Sequence, residues 1–105
     1  MNIKYAITHI DEKGLRRLTF ANQGRNHYDT AAIAEANLKV FKSNNNLESI
    51  LKYPETLDVR AVECYDHGDA KGIYVDLNQT DLTFLYKNNQ EMYNNLRTFL
   101  NNELF

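Results

Sequence analysis

The sequence predicts an α+β, two-layer domain, with a mainly antiparallel four-stranded sheet and helices packed largely on one face, in the order ββα(α)ββα. Three observations predict it. Residues 3–10, 15–20 and 57–65 have the period of two of half-buried strands, and a fourth strand is expected at about 72–77 after a turn. Turn sequences, Asp11-Glu12-Lys13-Gly14 and Asp66-His67-Gly68-Asp69, separate the members of each pair. Two longer stretches repeat apolar residues at three- and four-residue spacing, as amphipathic helices do.

In the first strand Ile3, Tyr5 and Ile7 share one face, and Ala6, Thr8 and Ile10 the other. Gly14 closes the next turn, where a short hairpin loop with a bulge needs positive φ, so the first two strands form an antiparallel hairpin. Gln23 to Thr30 then forms a polar loop ahead of a helix running to about Ser43. Asp29 is the expected N-cap, because its carboxylate accepts from N–H groups two or three residues on and offsets the helix dipole. With that cap Tyr28 falls at N′ and Ile33 at N4, the spacing of a hydrophobic staple. Ile33, Ala34, Ala36, Leu38, Val40 and Phe41 make the apolar arc. Asn37 lies within it and needs hydrogen-bond partners, expected in the backbone of a sheet edge or loop.

Asn44 to Asn46 ends that helix and caps a short turn with Leu47, Ile50 and Leu51, which stops before Pro54. The strand at 57–65 sets Leu57, Val59 and Ala61 against Arg60, Val62 and Cys64, and pairs with 72–77 as a second hairpin. A last helix is expected from about Asp81 to Leu104, bent near Lys87-Asn88. Leu82, Asn89 and Leu96 with Leu85, Met92 and Phe99 fit a heptad in which Asn89 sets register between paired helices. Tyr86, Met92, Tyr93, Leu96, Phe99 and Leu100 are its candidate interface, toward the domain's own sheet or toward a second copy.

The chain has the length of one domain, 1–105, and its 43% hydrophobic residues suffice for a core without metal or disulfide. Cys64 is the single cysteine, which excludes an internal disulfide. No apolar run approaches the roughly 18 residues of a bilayer span. The alternating start, Met1-Asn2-Ile3-Lys4-Tyr5, lacks the continuous apolar region of a signal peptide, so the cytoplasm is the expected location. A net charge of −2 gives no general attraction to nucleic acid or anionic membrane. Residues 1–53 carry eight Lys/Arg against five Asp/Glu and residues 54–105 four against nine. The halves interleave in the expected fold, so these charges read as a solvated surface. Fourteen asparagines, a residue that competes with helical hydrogen bonding, are spread along the chain without forming a repeat.

Arg25, His27 and Tyr28 are the candidate binding residues: a forked donor, an imidazole that titrates near neutrality and a phenol, gathered at a helix start whose N–H groups favour anions. Asp29 competes with an incoming anion there and Tyr28 serves as the staple, which leaves Arg25 and His27 available for function. Cys64, Asp66, His67 and Asp69 have the side chains of a metal cluster or a cysteine–histidine pair. Their spacing is that of a strand and turn, and no second Cys/His pair completes a zinc site, so neither metal nor cofactor is expected. His9 reads as a solvated or satisfied strand residue. There is no GxGxxG, phosphate loop, HExxH or nucleophile elbow. Arg16 and Arg17 with Tyr5, Phe20 and Tyr74 suggest a platform for single-stranded RNA, but neighbouring strand residues face opposite sides and do not line one surface.

Leu18-Thr19-Phe20 through Gln23-Gly24-Arg25-Asn26-His27-Tyr28-Asp29-Thr30 leading into an Ala-rich helix, and Leu57 to Tyr65 followed by Gly68-Asp69, resemble a group of short uncharacterised bacterial proteins often met in phage or plasmid surroundings. The resemblance covers roughly residues 3–77 and implies no activity; it implies an accessory protein of a mobile element, an inhibitor or adaptor that binds a host protein. The expected function is therefore a non-enzymatic protein-interaction module, with a homodimer through the terminal helix as a further expectation. A small enzyme using His27 as acid or base, Arg25 as anion binder and Cys64 nearby is the first alternative, and nucleic-acid binding the second.

Overall fold

The computed structural model describes residues 2–19, 27–91 and 93–95. The chain falls into two compact units, one reaching Val75 and the other starting at Asp76. The first unit contains β1 (Asn2–Ile10), β2 (Arg16–Leu18), β3 (His27–Tyr28), α1 (Ala31–Asn44), α2 (Leu47–Ile50), a 3-10 turn at Pro54–Thr56, β4 (Asp58–Cys64) and β5 (Tyr74–Val75). The second holds α3 (Gln79–Asn88). The class is α+β with an antiparallel sheet, as expected, but among the described residues the sheet has five strands rather than four.

β1 is the central strand. β4 pairs with it from Asn2↔Cys64 to Thr8↔Asp58. β2 pairs at Thr8↔Leu18 to Ile10↔Arg16, and β3 at Tyr5↔Tyr28 and Ala6↔His27. Thr8 and Tyr5 each have β4 on one side, so β2 and β3 share the opposite edge in line. The register steps by seven residues between them. His27 and Tyr28, read from sequence as loop and staple, are therefore strand residues.

The first hairpin forms as expected. Asp11 Oδ1 accepts from Lys13 N at 2.9 Å and Leu15 N at 3.1 Å, and Gly14 takes φ 80°. The second does not continue as a paired ladder. A tight turn at Tyr65–Asp69 returns Ala70 to Cys64 and Lys71 N to Glu63 O, after which the chain leaves β4. Leu18 N then donates to Ile73 O, and β5 pairs with β2. The stretch from Ala70 to Val75 thus ties the outer edge of β4 to the outer edge of β2, which requires the sheet to curl. Right-handed strand twist supplies the direction of that curl.

α1 covers the odd-numbered face of β1. Ala34, Leu38 and Phe41, spaced by four and three, bury against Ile7, Tyr28 and Leu57, with Tyr5, Val59, Leu47 and Leu51 at the margins. The buried stripe is narrower than the apolar arc of the sequence: Ile33 and Val40 are each 48% exposed. Asn37 donates to its own helix, Nδ2 to Ile33 O at 2.9 Å, rather than to a sheet edge or loop. Thr30, not Asp29, is the N-cap, accepting from Ile33 N at 3.2 Å. The Asp29 carboxylate is instead engaged by Lys4 Nζ. This shifts N′ to Asp29 and removes Tyr28 from the staple position.

The even-numbered face holds a buried guanidinium. Arg16, 3% exposed, donates from Nη1 to Thr8 Oγ1 and Thr56 O, both at 2.9 Å. Thr8 Oγ1 donates to Asp58 O, and Thr56 Oγ1 accepts from Ile10 N and donates to Tyr53 O.

In the second unit Asn78 caps α3, accepting from Asp81 N at 2.9 Å while Asp81 Oδ2 accepts from Asn78 N, a reciprocal capping box. The long helix expected from sequence is interrupted at Asn89, whose φ of −155° and ψ of 76° are not helical. Helical geometry returns at Gln90, Glu91 and 93–95. Asn89 therefore occupies a C-cap and not the a position of a continuous heptad seam.

Two sets of substitutions test this framework by denaturant unfolding. Thr30→Ala should cost about 1 kcal/mol, the usual loss of a cap, and Asp29→Ala about 0.5 kcal/mol or less, as for an exposed ion pair. The reverse ranking would return the cap to Asp29. Thr56→Val leaves the buried Ile10 N–H without its acceptor, while Tyr53 O still accepts from Thr56 N, and should cost about 1–3 kcal/mol; an unchanged midpoint would contradict the bond from Ile10 N to Thr56 Oγ1.

Candidate functional site

Arg25 lies outside the described residues. His27 pairs opposite Ala6 and Tyr28 opposite Tyr5, so the two point to opposite sides of the sheet. Tyr28 belongs to the core under α1. The structure does not bring His27 and Tyr28 to one surface. Nor does it join His27 to Cys64: Cys64 pairs with Asn2 on the other edge of β1, four positions from His27, about 13 Å along the strand and two strand spacings across. The acid–base alternative that brings these two side chains together fails on this register.

Cys64 is a buried thiol, and burial raises its pKa, which disfavours the reactive thiolate. His67 Nδ1 lies 3.1 Å from Asp69 Oδ2 and its ring stacks on Tyr65, all on the exposed turn. Among the described residues no group of three His, Cys, Asp or Glu side chains converges to hold a metal ion.

A cleft in the first unit that joins polar and apolar side chains was not foreseen from the sequence. Its volume is about 280 Å³, and it lies where the first hairpin meets the end of α1 and the segment after α2. His9, Arg17 and Thr19 line one side, Asp11 and Glu12 the turn end, and Phe41, Ile50 and Leu51 the apolar wall. Hairpin register explains the first group: His9 stands directly opposite Arg17, so both side chains leave the same face. Thr19 follows two residues later on that face, and its Oγ1 lies 2.6 Å from His9 Nδ1. That register was readable from the Asp11–Gly14 turn, which is the signal that could have moved His9 from a satisfied strand residue to a cleft residue.

Electrostatics decides what the pair can do. Burial lowers the His9 pKa, and the Arg17 charge lowers it further, against smaller opposing effects of Asp11 and Glu12. The imidazole is neutral at neutral pH. A hydroxyl beside an imidazole has the arrangement of a nucleophile and its base. A base of reduced basicity next to an arginine is poorly suited to take up the hydroxyl proton, so the geometry favours hydrogen bonding over acyl transfer. Arg17 forms no hydrogen bond or ion pair among the described residues, unlike Arg16.

The second unit has its own concavity, about 320 Å³, lined by Gln79, Leu82, Thr83, Tyr86 and Tyr93. Tyr86, 54% exposed, meets Tyr93 edge to face with ring centres 5.3 Å apart. Of the expected interface residues these two are described, while Met92, Leu96, Phe99 and Leu100 lie outside the described residues. Among the described residues no helix is long and apolar enough to cross a membrane. Comparison of the chain with protein-family models, curated proteins and solved structures finds no match.

The lowered His9 pKa has a pH consequence. Its folded value lies below the ordinary 6.5, so the unfolded chain binds the proton more readily. The stability contribution is full above the unfolded pKa and is lost as pH falls through 6.5 toward the folded value. Urea midpoints should therefore fall between about pH 7.5 and 5.5, and His9→Asn should fall less steeply over the same interval. Parallel curves for the two proteins would place the pH dependence elsewhere.

Proposed function

We propose that the protein is a non-enzymatic interaction module of the cytoplasm, an accessory, adaptor or inhibitor belonging to a mobile element, and that it binds a host protein through the aromatic surface of α3. The observation that carries this reading is the half-exposed Tyr86 set edge to face against Tyr93 beside Leu82 in a concave surface. Tyrosine supplies a large, rigid contact area and a polar tip, and it is enriched among residues that dominate binding energy. A net charge of −2 and the burial of Arg16 favour a protein partner over nucleic acid. The interruption at Asn89 limits self-pairing to a local helix contact, because a coiled-coil seam needs an unbroken heptad.

Affinity capture from a native host lysate tests the reading, with wild type compared to Tyr86→Asp. The wild type should retain one host protein, and the variant should retain it at least about tenfold more weakly, the loss expected of a central aromatic contact. Equal capture by both would remove α3 from the interface. Light scattering separates the homodimer: a two-copy mass that becomes one-copy in Tyr86→Asp would make the partner a second copy of this chain.

A further inference from the structure

The cleft beside the first hairpin has features that the α3 surface does not explain. It joins an arginine without an ion pair among the described residues to a hydroxyl and imidazole 2.6 Å apart, and sets them against an apolar wall whose rim residue, Ile50, is 54% exposed. We propose that this cleft is a binding site for a monocarboxylate carrying a short aliphatic group, with the carboxylate on Arg17 and the aliphatic group on Phe41, Ile50 and Leu51.

Each part of that ligand follows from a part of the site. A guanidinium matches a planar carboxylate with two parallel hydrogen bonds, and such charge-assisted pairs are the stronger kind. His9 and Thr19 extend the polar side without adding charge, since burial and Arg17 keep the ring neutral. Asp11 and Glu12 at the turn end oppose a second negative charge, which selects a monoanion over phosphate. Asp11 is held in the hairpin, where its Oδ1 accepts from Lys13 N and Leu15 N, and among the described residues Arg17 has no ion pair with it. Phe41 and Leu51 are held in or against the α1 core and present a fixed apolar surface. A volume near 280 Å³ is at the small end of ligand pockets, sized for a branched acid or one terminal residue and not for a nucleotide.

The same chemistry has two sources, a free acid and the C-terminal residue of a peptide. Titrations of the whole chain followed by amide chemical shifts distinguish them, with 4-methylpentanoate for the first and Gly-Gly-Leu for the second. Binding of about 0.1–5 mM is expected, with shifts at Arg17, Thr19 and Leu51, since one ion pair and one aliphatic contact supply only modest affinity. The neutral 4-methylpentanamide and the C-terminal amide of Gly-Gly-Leu should bind at least about tenfold more weakly, and acetate likewise for want of the aliphatic part. Tighter binding of Gly-Gly-Leu than of the free acid assigns a chain terminus, and the opposite ranking assigns a small carboxylic acid. Arg17→Gln, a substitution at a half-buried strand position, should weaken either ligand at least about tenfold while leaving the dispersed spectrum of the folded protein. Ile50→Ser, on the exposed rim, should narrow the gap between 4-methylpentanoate and acetate. Absence of shifts at 20-fold the expected constant, equal binding of acid and amide, unchanged binding in Arg17→Gln, or tighter binding of inorganic phosphate would each overturn the proposal.

Discussion

A guanidinium removed from water must have its donors met, and the first unit is organised around meeting those of Arg16. An arginine cannot escape burial by losing its proton, so the interior has to supply oxygen atoms. It does so from two separate segments: the hydroxyl of Thr8 in β1 and the carbonyl of Thr56 in the 3-10 turn reach the Nη1 that β2 carries. Thr8 passes the connection to β4 through Asp58 O, and Thr56 returns it to β1 through Ile10 N. Packing alone tolerates small slips between these elements. A buried ionic network does not, because a slip leaves a charge or a carbonyl without a partner.

The same constraint separates two adjacent arginines by role. Alternation along β2 sends Arg16 into the network and Arg17 to the α1 side, where it faces His9 across the hairpin. One cation is consumed by the fold and the other is left at a cleft. The contrast cannot be seen from composition, since the two residues are neighbours of the same type. It appears once the pairing of β1 with β2 is known, because only then does one arginine acquire Thr8 and Thr56, and the other a view of Phe41 and Leu51.

Much of the fold was legible where the signal is local. Strand alternation at 3–10, the Asp11–Gly14 turn and the three-and-four spacing of Ala34, Leu38 and Phe41 all depend on residues close in sequence, and all appear in the structure. The misses concern long-range pairing. Two-residue β3 has no period to detect, and its partner is reached only across a seven-residue register step. β5 sits after a turn that reads as a hairpin, but only Ala70 and Lys71 stay with β4 before the chain crosses to β2. The cap, too, was decided by a long-range contact. Asp29 and Thr30 are both good caps, and the choice was made by Lys4, 25 residues away in sequence yet adjacent through the β1 and β3 pairing, which draws off the Asp29 carboxylate. The candidate site followed the same rule: a contiguous polar run drew attention to Arg25, His27 and Tyr28, whereas the cleft is assembled from His9, Arg17 and Phe41, which only tertiary pairing brings together.

Asparagine supplies the last link between sequence bias and surface. In the helices and at the end of α1 its amide donates back one turn, from Asn37 to Ile33 O, Asn45 to Phe41 O and Asn88 to Phe84 O, and this bond shares the carbonyl that the asparagine's own backbone N–H would use in a helix. At mid-helix the ladder survives, as in α1. Where Asn88 and Asn89 follow each other, Asn89 leaves helical geometry with its own N–H still bonded to Leu85 O. A residue that would have marked register in an uninterrupted coiled coil thus ends a ten-residue helix. The stop is what sets Tyr93, in the next helical stretch, edge-on to Tyr86, with Tyr93 N donating to Asn89 O across the break. The aromatic surface therefore owes its shape to an interruption, and a partner that uses it meets a short local feature instead of a long helical seam.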